Sequence, residues 1–338
     1  MSGSSSAGSD YAFGPAVRLR VRGSRGAVAH FAREFGPPLA LVSTPQVDVD
    51  VRIGWPRGGR AGIASGGYKS VRWRLELSPP NQRPLRATIV LSGGPPSFAL
   101  SLVQGYFVEP LVALALAREG YVALPSAGLA LDQGVLLLMG PSGSGKSSVS
   151  MRALALGRPL LGDDQVLVDS EGGCRPYPRR LRIYPDIRDT APAAWLRLPG
   201  STRRILTVRR AVRRLTRGFV APSLAVPTTE IGPQAPPGPL PLKRLLVIER
   251  AAGVEDLGVR PRDSAWAVHR ARTILADQRC RLVAIADESW RSALTAVGER
   301  EAEIFESAIA AASIEDVRVP AGWDAARAVD ALARQAGL

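Results

Sequence analysis

The sequence predicts an α/β protein: a phosphate-loop core over residues 107–338, preceded by a β-rich region over 11–106. Three observations predict it. Apolar and polar residues alternate with period two in segment after segment of the first hundred residues, as in half-buried strands. Short continuous apolar runs follow, YVAL, AGLAL and GVLLLM, as strands buried on both faces would read. The last of these enters GPSGSGKSSVSMRALAL, a glycine-rich turn opening on a helical pattern.

Composition sets the outer bounds. A chain of 338 residues, 46% of them apolar, can build the cores of two domains. The tract MSGSSSAGSD (1–10) reads as a disordered tail with neither the basic start nor the apolar centre of a secretion signal, so a cytoplasmic protein is expected. No uninterrupted apolar run reaches the roughly 18 residues of a membrane span, and no membrane association is expected. The only cysteines are Cys174 and Cys280 and the only histidines His30 and His269. That excludes a disulfide framework, a His/Cys metal site and a His-based triad.

The net charge of +14 is almost entirely arginine, as codon usage in a G+C-rich genome would give; attraction to acidic peptides, phosphates or nucleic acid is the functional alternative. Lysine occurs only at Lys69, Lys146 and Lys243. A chain that uses arginine nearly everywhere thus keeps a lysine inside its glycine-rich turn, where a compact ammonium suits phosphates better than a planar guanidinium fork.

In order along the chain, strands are expected at 11–22, 46–53, 71–77, 85–91 and 97–103, separated by turns such as GWPRGG and SGGPP. EPLVALALAREG (109–120) reads as a helix with Gly120 just past its end. After the glycine-rich turn, a helix of about ten residues spans roughly 15 Å before Gly157 and Pro159 stop it. LLGDDQVLV is then expected as a strand packed beside the one that enters the loop. Residues 201–219 place Ile205, Val208, Val212, Leu215 and Phe219 on one helical face, with arginines over much of the rest. That pattern suits a solvated amphipathic helix or a docking surface for an acidic partner. The proline-rich stretch 221–242 is expected as an extended loop. KRLLVIER (243–250) and RLVAIAD (281–287) are expected as buried strands, with a short strand at EDVRV (315–319) in an otherwise helical C-terminal part.

Gly140-Pro141-Ser142-Gly143-Ser144-Gly145-Lys146-Ser147 satisfies G-x-x-x-x-G-K-[ST] at every fixed position, and Ser148 follows it. Glycines let several backbone N–H groups converge on phosphate oxygens, and a helix N-terminus adds its positive end. Lys146 would neutralise the β- and γ-phosphates of ATP, and Ser147 would offer a hydroxyl to Mg²⁺. Asp163 and Asp164 return soon after the loop. One carboxylate can serve the metal and the other can take a proton from an attacking hydroxyl. In the plainer alternative, one is a turn residue and the other the ordinary metal partner of an ATPase.

The run GPSGSGKSSVSMRALALGRPLLGDD resembles the catalytic core of the HPr serine kinase/phosphorylase family, with no gap between Lys146 and Asp164. The resemblance implies a P-loop kinase core of HPr-kinase type that uses ATP and Mg²⁺. It implies that Asp163 deprotonates an acceptor serine and that Ser147 and Asp164 attend the metal. Pro185-Asp186-Ile187-Arg188 resembles the family's Glu-Ile-Arg segment, which implies Asp186 as a further metal-side acid. Tyr11-Ala12-Phe13-Gly14 and REGYVALPSAGLAL resemble the HPr-kinase-related proteins of peptide natural-product clusters, such as lasso-peptide kinases.

The expected activity is therefore transfer of the γ-phosphoryl group to a serine of a peptide or small protein, with an edge strand or groove of the β-rich region receiving the peptide. Homo-oligomers are usual in that family. A small-metabolite kinase and a nucleotide-binding regulatory module without transfer are the alternatives. A nucleic-acid partner is not expected, because the basic charge is diffuse and no groove-reading motif is present. The chain also departs from the family. Leu124-Pro125-Ser126 stands where a histidine is usual, and Ser148 stands where the bifunctional enzymes carry an acid, so the phosphorylase reaction is not expected.

Overall fold

The computed structural model describes residues 7–39, 44–55, 63–215 and 223–338 of a mixed α/β chain. It divides into two compact units, Met1–Val122 with Leu275–Glu303, and Ala123–Ile274 with Ile304–Leu338.

The first unit is built on a six-stranded sheet. Its chain order is β1 (Ala7–Phe13), β2 (Val17–Gly23), α1 (Arg25–Phe35), β3 (Val47–Ile53), β4 (Ile63–Tyr68), β5 (Val71–Leu77) and β6 (Leu85–Ser92). Its spatial order is β1-β2-β3-β6-β5-β4, with the β2–β3 and β3–β6 pairs parallel and the rest antiparallel. Period-two patterning does its expected work: VRWRLEL buries Val71, Trp73 and Leu75 and turns its charged residues outward. Residues 11–22 form two strands joined at Gly14–Ala16 instead of one. The expected tail is also shorter. Residues 7–10 pair with 20–23, and the Asp10 carboxylate takes both Arg20 Nε and Nη2 at 2.8 Å; residues 1–6 lie outside the described residues.

Residues 97–103 are helical, which corrects the expected strand. They belong to α2 (Pro96–Val103), which continues through a π-turn at Gln104–Val108 into α3 (Glu109–Arg118). Pro96 occupies the first helical turn, where its missing N–H costs nothing. Ala99, Leu100, Leu102 and Val103 are all buried, a spread that fits a helix enclosed by protein and not a two-faced strand. The boundary expected at 106/107 falls inside this helical stretch. Pro96–Arg118 is also long and apolar enough to cross a membrane, yet 72% of its most apolar window is buried within the protein.

β7 (Tyr121–Leu124) carries the chain into the second unit. There follow β8 (Ser126–Leu131), β9 (Gly134–Met139), α4 (Lys146–Ala155), β10 (Leu160–Gly162), β11 (Val166–Asp169), β12 (Gly173–Pro176) and β13 (Leu181–Ile183). Next come α5 (Ile187–Thr190), α6 (Pro192–Arg197), α7 (Gly200–Leu215), β14 (Leu224–Val226), β15 (Leu240–Ala251) and β16 (Gly258–Pro261). α8 (Ser264–Ile285) leaves this unit and α9 (Glu288–Ala308) returns to it, before β17 (Ser313–Pro320) and α10 (Ala325–Gln335). β9, β15 and β17 run parallel at the centre, with β8 antiparallel on the other side of β9.

Two further expectations change here. RLVAIAD forms the end of α8, with Arg281, Val283 and Ala284 exposed, and so is no buried strand. LLGDDQVLV is not one strand beside β9. It breaks at Asp163–Asp164 into β10 and β11, and β10 pairs with β8, which already occupies that edge of β9. Helix α7 forms as expected up to Leu215, while 216–222 and part of the GWPRGG turn lie outside the described residues. Within 223–242 the expected loop contains β14, a short 3₁₀ turn at Thr228–Glu230 and the start of β15.

Candidate active site

The site begins where β9 ends. Its residues Val135–Met139 pair with β15 and are almost wholly buried, so the chain emerges at a fixed place and direction. Gly140 must follow, because a Cβ there would stand 2.3 Å from the Ile248 carbonyl oxygen of β15. Gly143 and Gly145 take φ of 81° and 106°, a region that side chains disfavour. Together they turn the backbone from strand to helix, and Gly145 caps the N-terminus of α4. That helix is held by Val149, Met151 and Leu154, which belong to one core with Leu136, Leu138, Ile248, Val329 and Leu332.

Lys146 lies in the first turn of α4. Its Nζ donates to Gly140 O at 2.6 Å, Pro141 O at 2.9 Å and Ser144 Oγ at 3.4 Å. Burial lowers the pKa of this ammonium, and the Asp164 and Asp163 carboxylates partly offset that. Pro141, Ser142 and Gly143 are exposed, Ser144 is buried, and Ser147 and Ser148 are half-buried in the same helical turn as Lys146.

The aspartate pair occupies a tight turn. Gly162 is required, because a Cβ there would meet Gln165 O at 2.2 Å. β11 then passes close over β8, where Gly128 makes room: a Cβ at that position would lie 2.7 Å from Val166 Cγ2. The two carboxylates differ sharply. Asp163 is 2% exposed and Asp164 is half-buried. Asp163 Oδ2 accepts from the Arg182 backbone N–H at 3.3 Å. Burial raises the Asp163 pKa to about 8; the Asp164 charge adds to the rise, while Arg179 and the Arg182 N–H oppose it.

The structure thus brings Lys146, Asp163 and Asp164 within electrostatic reach of one another, although β10 is not the neighbour of β9. Asp186 takes part in none of these interactions. Asp186 is exposed at the start of α5, and among the described residues no three His, Cys, Asp or Glu side chains gather as a metal cluster. Its segment reaches the loop by another route. Thr190 Oγ1 lies 3.1 Å from both Asp186 O and Ser148 Oγ, and Arg152 Nε of α4 donates to Thr190 O at 2.6 Å. Sequence reasoning missed Thr190, and nothing about a single threonine signals such a contact. It also missed Gly128 and the Arg182 amide, which become visible only once β11 and β13 are in place. Ser126, in the Leu124–Ser126 stretch that stands where the resembled family usually has a histidine, is fully buried opposite Met139, the last residue of β9.

The donor set fits a nucleotide with Mg²⁺. The magnesium ion asks for one or two carboxylates, a hydroxyl, phosphates and water, not a cage of protein ligands, and Ser147 and Asp164, both half-buried, are a hydroxyl and a carboxylate of those kinds. Neither protein-family models nor curated proteins match this chain.

Proposed function

We propose that the chain is an ATP-dependent kinase that phosphorylates a serine hydroxyl of a peptide or small protein. One observation carries this reading: a glycine-turned helix N-terminus with Lys146 at its first residue, faced by two carboxylates of unequal burial.

In this reading the N–H groups of Gly143–Ser148 and the positive end of α4 hold the ATP phosphates. Lys146 exchanges its contacts with the loop carbonyls for contacts with phosphate oxygens. Ser147 and Asp164 would hold Mg²⁺, which when bound would supply positive charge against the phosphates. Asp163 orients the acceptor hydroxyl. As the serine oxygen bonds to the γ-phosphorus, its proton passes to the Asp163 carboxylate; the bond to the β,γ-bridging oxygen breaks, and ADP leaves with that electron pair. A base with a pKa near 8 suits the task, because it is partly ionised at working pH yet retains the basicity to take the proton. Acceptor entry requires the chain over Asp163 to move, since that residue is 2% exposed.

That same burial favours a second reading, a nucleotide-binding module that does not transfer. Intact-mass analysis separates the two. Peptides encoded beside this gene are incubated with Mg-ATP and either the wild type or Asp163→Asn. A phosphoryl increment with the wild type alone is expected. ATP bound by both proteins, with no increment on any peptide, would leave the module reading.

A further inference from the structure

The two edges of the six-stranded sheet are finished differently. The outer edge of β1 is occupied: Leu39 N–H donates to Asp10 O at 2.8 Å as an isolated bridge, and the Asp10–Arg20 ion pair stands on the same strand. At the opposite edge, no strand among the described residues pairs with the outer side of β4. Proteins commonly protect such an edge with charge, proline or a bulge. β4 reads IASGGY, with neither charge nor proline, and pairs with β5 in unbroken register from Ile63–Glu76 to Tyr68–Val71.

Gly66 and Gly67 explain how the neighbouring strand extends to this edge. Their cross-strand partners are Trp73 and Arg72. A Cβ on Gly66 would lie 2.3 Å from the Trp73 ring, and one on Gly67 would lie 2.9 Å from Arg72 Cδ. Missing side chains on β4 therefore let the indole and the guanidinium stem lie across it, on opposite faces of the pleat. Ser65, Gly66, Gly67, Lys69, Arg72 and Trp73 line a surface cavity of about 570 Å³ there.

We infer that the outer edge of β4 is a binding site for an extended acidic peptide, which adds to the sheet as a seventh strand. Backbone groups of β4 give the affinity. Lys69 and Arg72 favour carboxylates at the hairpin end. A second copy of the chain is the poorer occupant. Each copy carries +14, and a six-residue edge buries far less than the roughly 1,200 Å² expected of a stable dimer. This site lies wholly in the first unit and stands independently of the nucleotide reading.

The probe is a dye-labelled ten-residue peptide of alternating Glu and Val, capped at both ends, titrated into the full chain without nucleotide. Two twins of equal charge carry N-methyl groups on all Glu amides or on all Val amides. In an added strand only one alternating set of N–H groups faces β4, so one twin should lose at least about tenfold in affinity while the other keeps most of it. Arg72→Gln should weaken the parent peptide about threefold, with the melting temperature confirming an intact fold. Equal affinity of all three peptides would reduce the contact to general electrostatics and overturn the proposal. Absence of binding at millimolar peptide would overturn it too, as would a dimer in sedimentation that the peptide fails to dissociate.

Discussion

The glycine loop at 140–148 and the aspartate turn at 162–165 face each other across the candidate site, yet different parts of the chain determine them. The loop is a local object. Its own glycines permit its φ values, and its own carbonyls and hydroxyl hold the Lys146 ammonium. The turn has a local shape, fixed by Gly162 against Gln165, but its chemistry is imposed from elsewhere: the Arg182 amide and the Arg179 charge reach Asp163 from beyond β12. Local sequence can therefore say which groups are present, whereas their protonation and access belong to the tertiary fold.

The sharpest test of the local half is Lys146→Ala. Charge-assisted hydrogen bonds contribute about 1.5–3 kcal/mol each, and an ammonium that turns to the phosphates makes more than one. ATP affinity measured by calorimetry should fall about 100-fold, with the fold retained because α4 is anchored by Val149, Met151 and Leu154. An unchanged affinity would mean that the loop does not bind phosphate through this residue.

The division between local and tertiary also explains what could be read in advance. Strands β2, β5 and β6 were legible because each has one buried face and alternates accordingly, and β3 because its valines alternate with aspartates, although Asp48 is buried as well. SFALSLV misled because its two serines interrupt an apolar run at even spacing, which imitates alternation, while enclosure by the surrounding protein made a helix the better answer. RLVAIAD misleads for the opposite reason: an apolar run reads as a buried strand, although only Leu282 of its apolar residues is fully buried. In the site, Gly140, Gly145 and Lys146 were legible from spacing alone. The early return of Asp163 and Asp164 was legible as well, but not its path: β8 comes between β10 and β9, and no local pattern states which strand takes which edge.

The tertiary half is tested by the pH dependence of stability in Asp163→Asn. Burial raises the Asp163 pKa from 3.8 to about 8, so over that window the folded state retains a proton that the unfolded chain releases. Wild-type stability must therefore fall as pH rises from about 4 to about 8, by up to about 1.4 kcal/mol per unit from this group. Asparagine keeps an acceptor for the Arg182 N–H and carries no such dependence. The two proteins should melt together near pH 4, and the variant should gain by several degrees on approaching pH 8. Parallel melting curves across this range would show that the Asp163 carboxylate is solvated, and would dissolve the contrast with Asp164.

The smallest expected effect concerns Asp186, which the resemblance places beside the metal. Its side chain is exposed and joins no acidic cluster, while its backbone carbonyl is what engages Thr190 Oγ1, at 3.1 Å. Asp186→Asn alters the side chain and leaves that carbonyl in place. The magnesium concentration giving half-maximal ATP binding should then stay within about twofold of wild type, whereas Asp164→Asn should raise it about tenfold, the loss of one charged ligand. A rise of similar size in both variants would mean that α5 swings toward the phosphates when nucleotide binds, with the Thr190–Ser148 contact as its hinge. The aspartate turn would then be only one of two remote segments that complete the site, and the loop would be its single locally determined part.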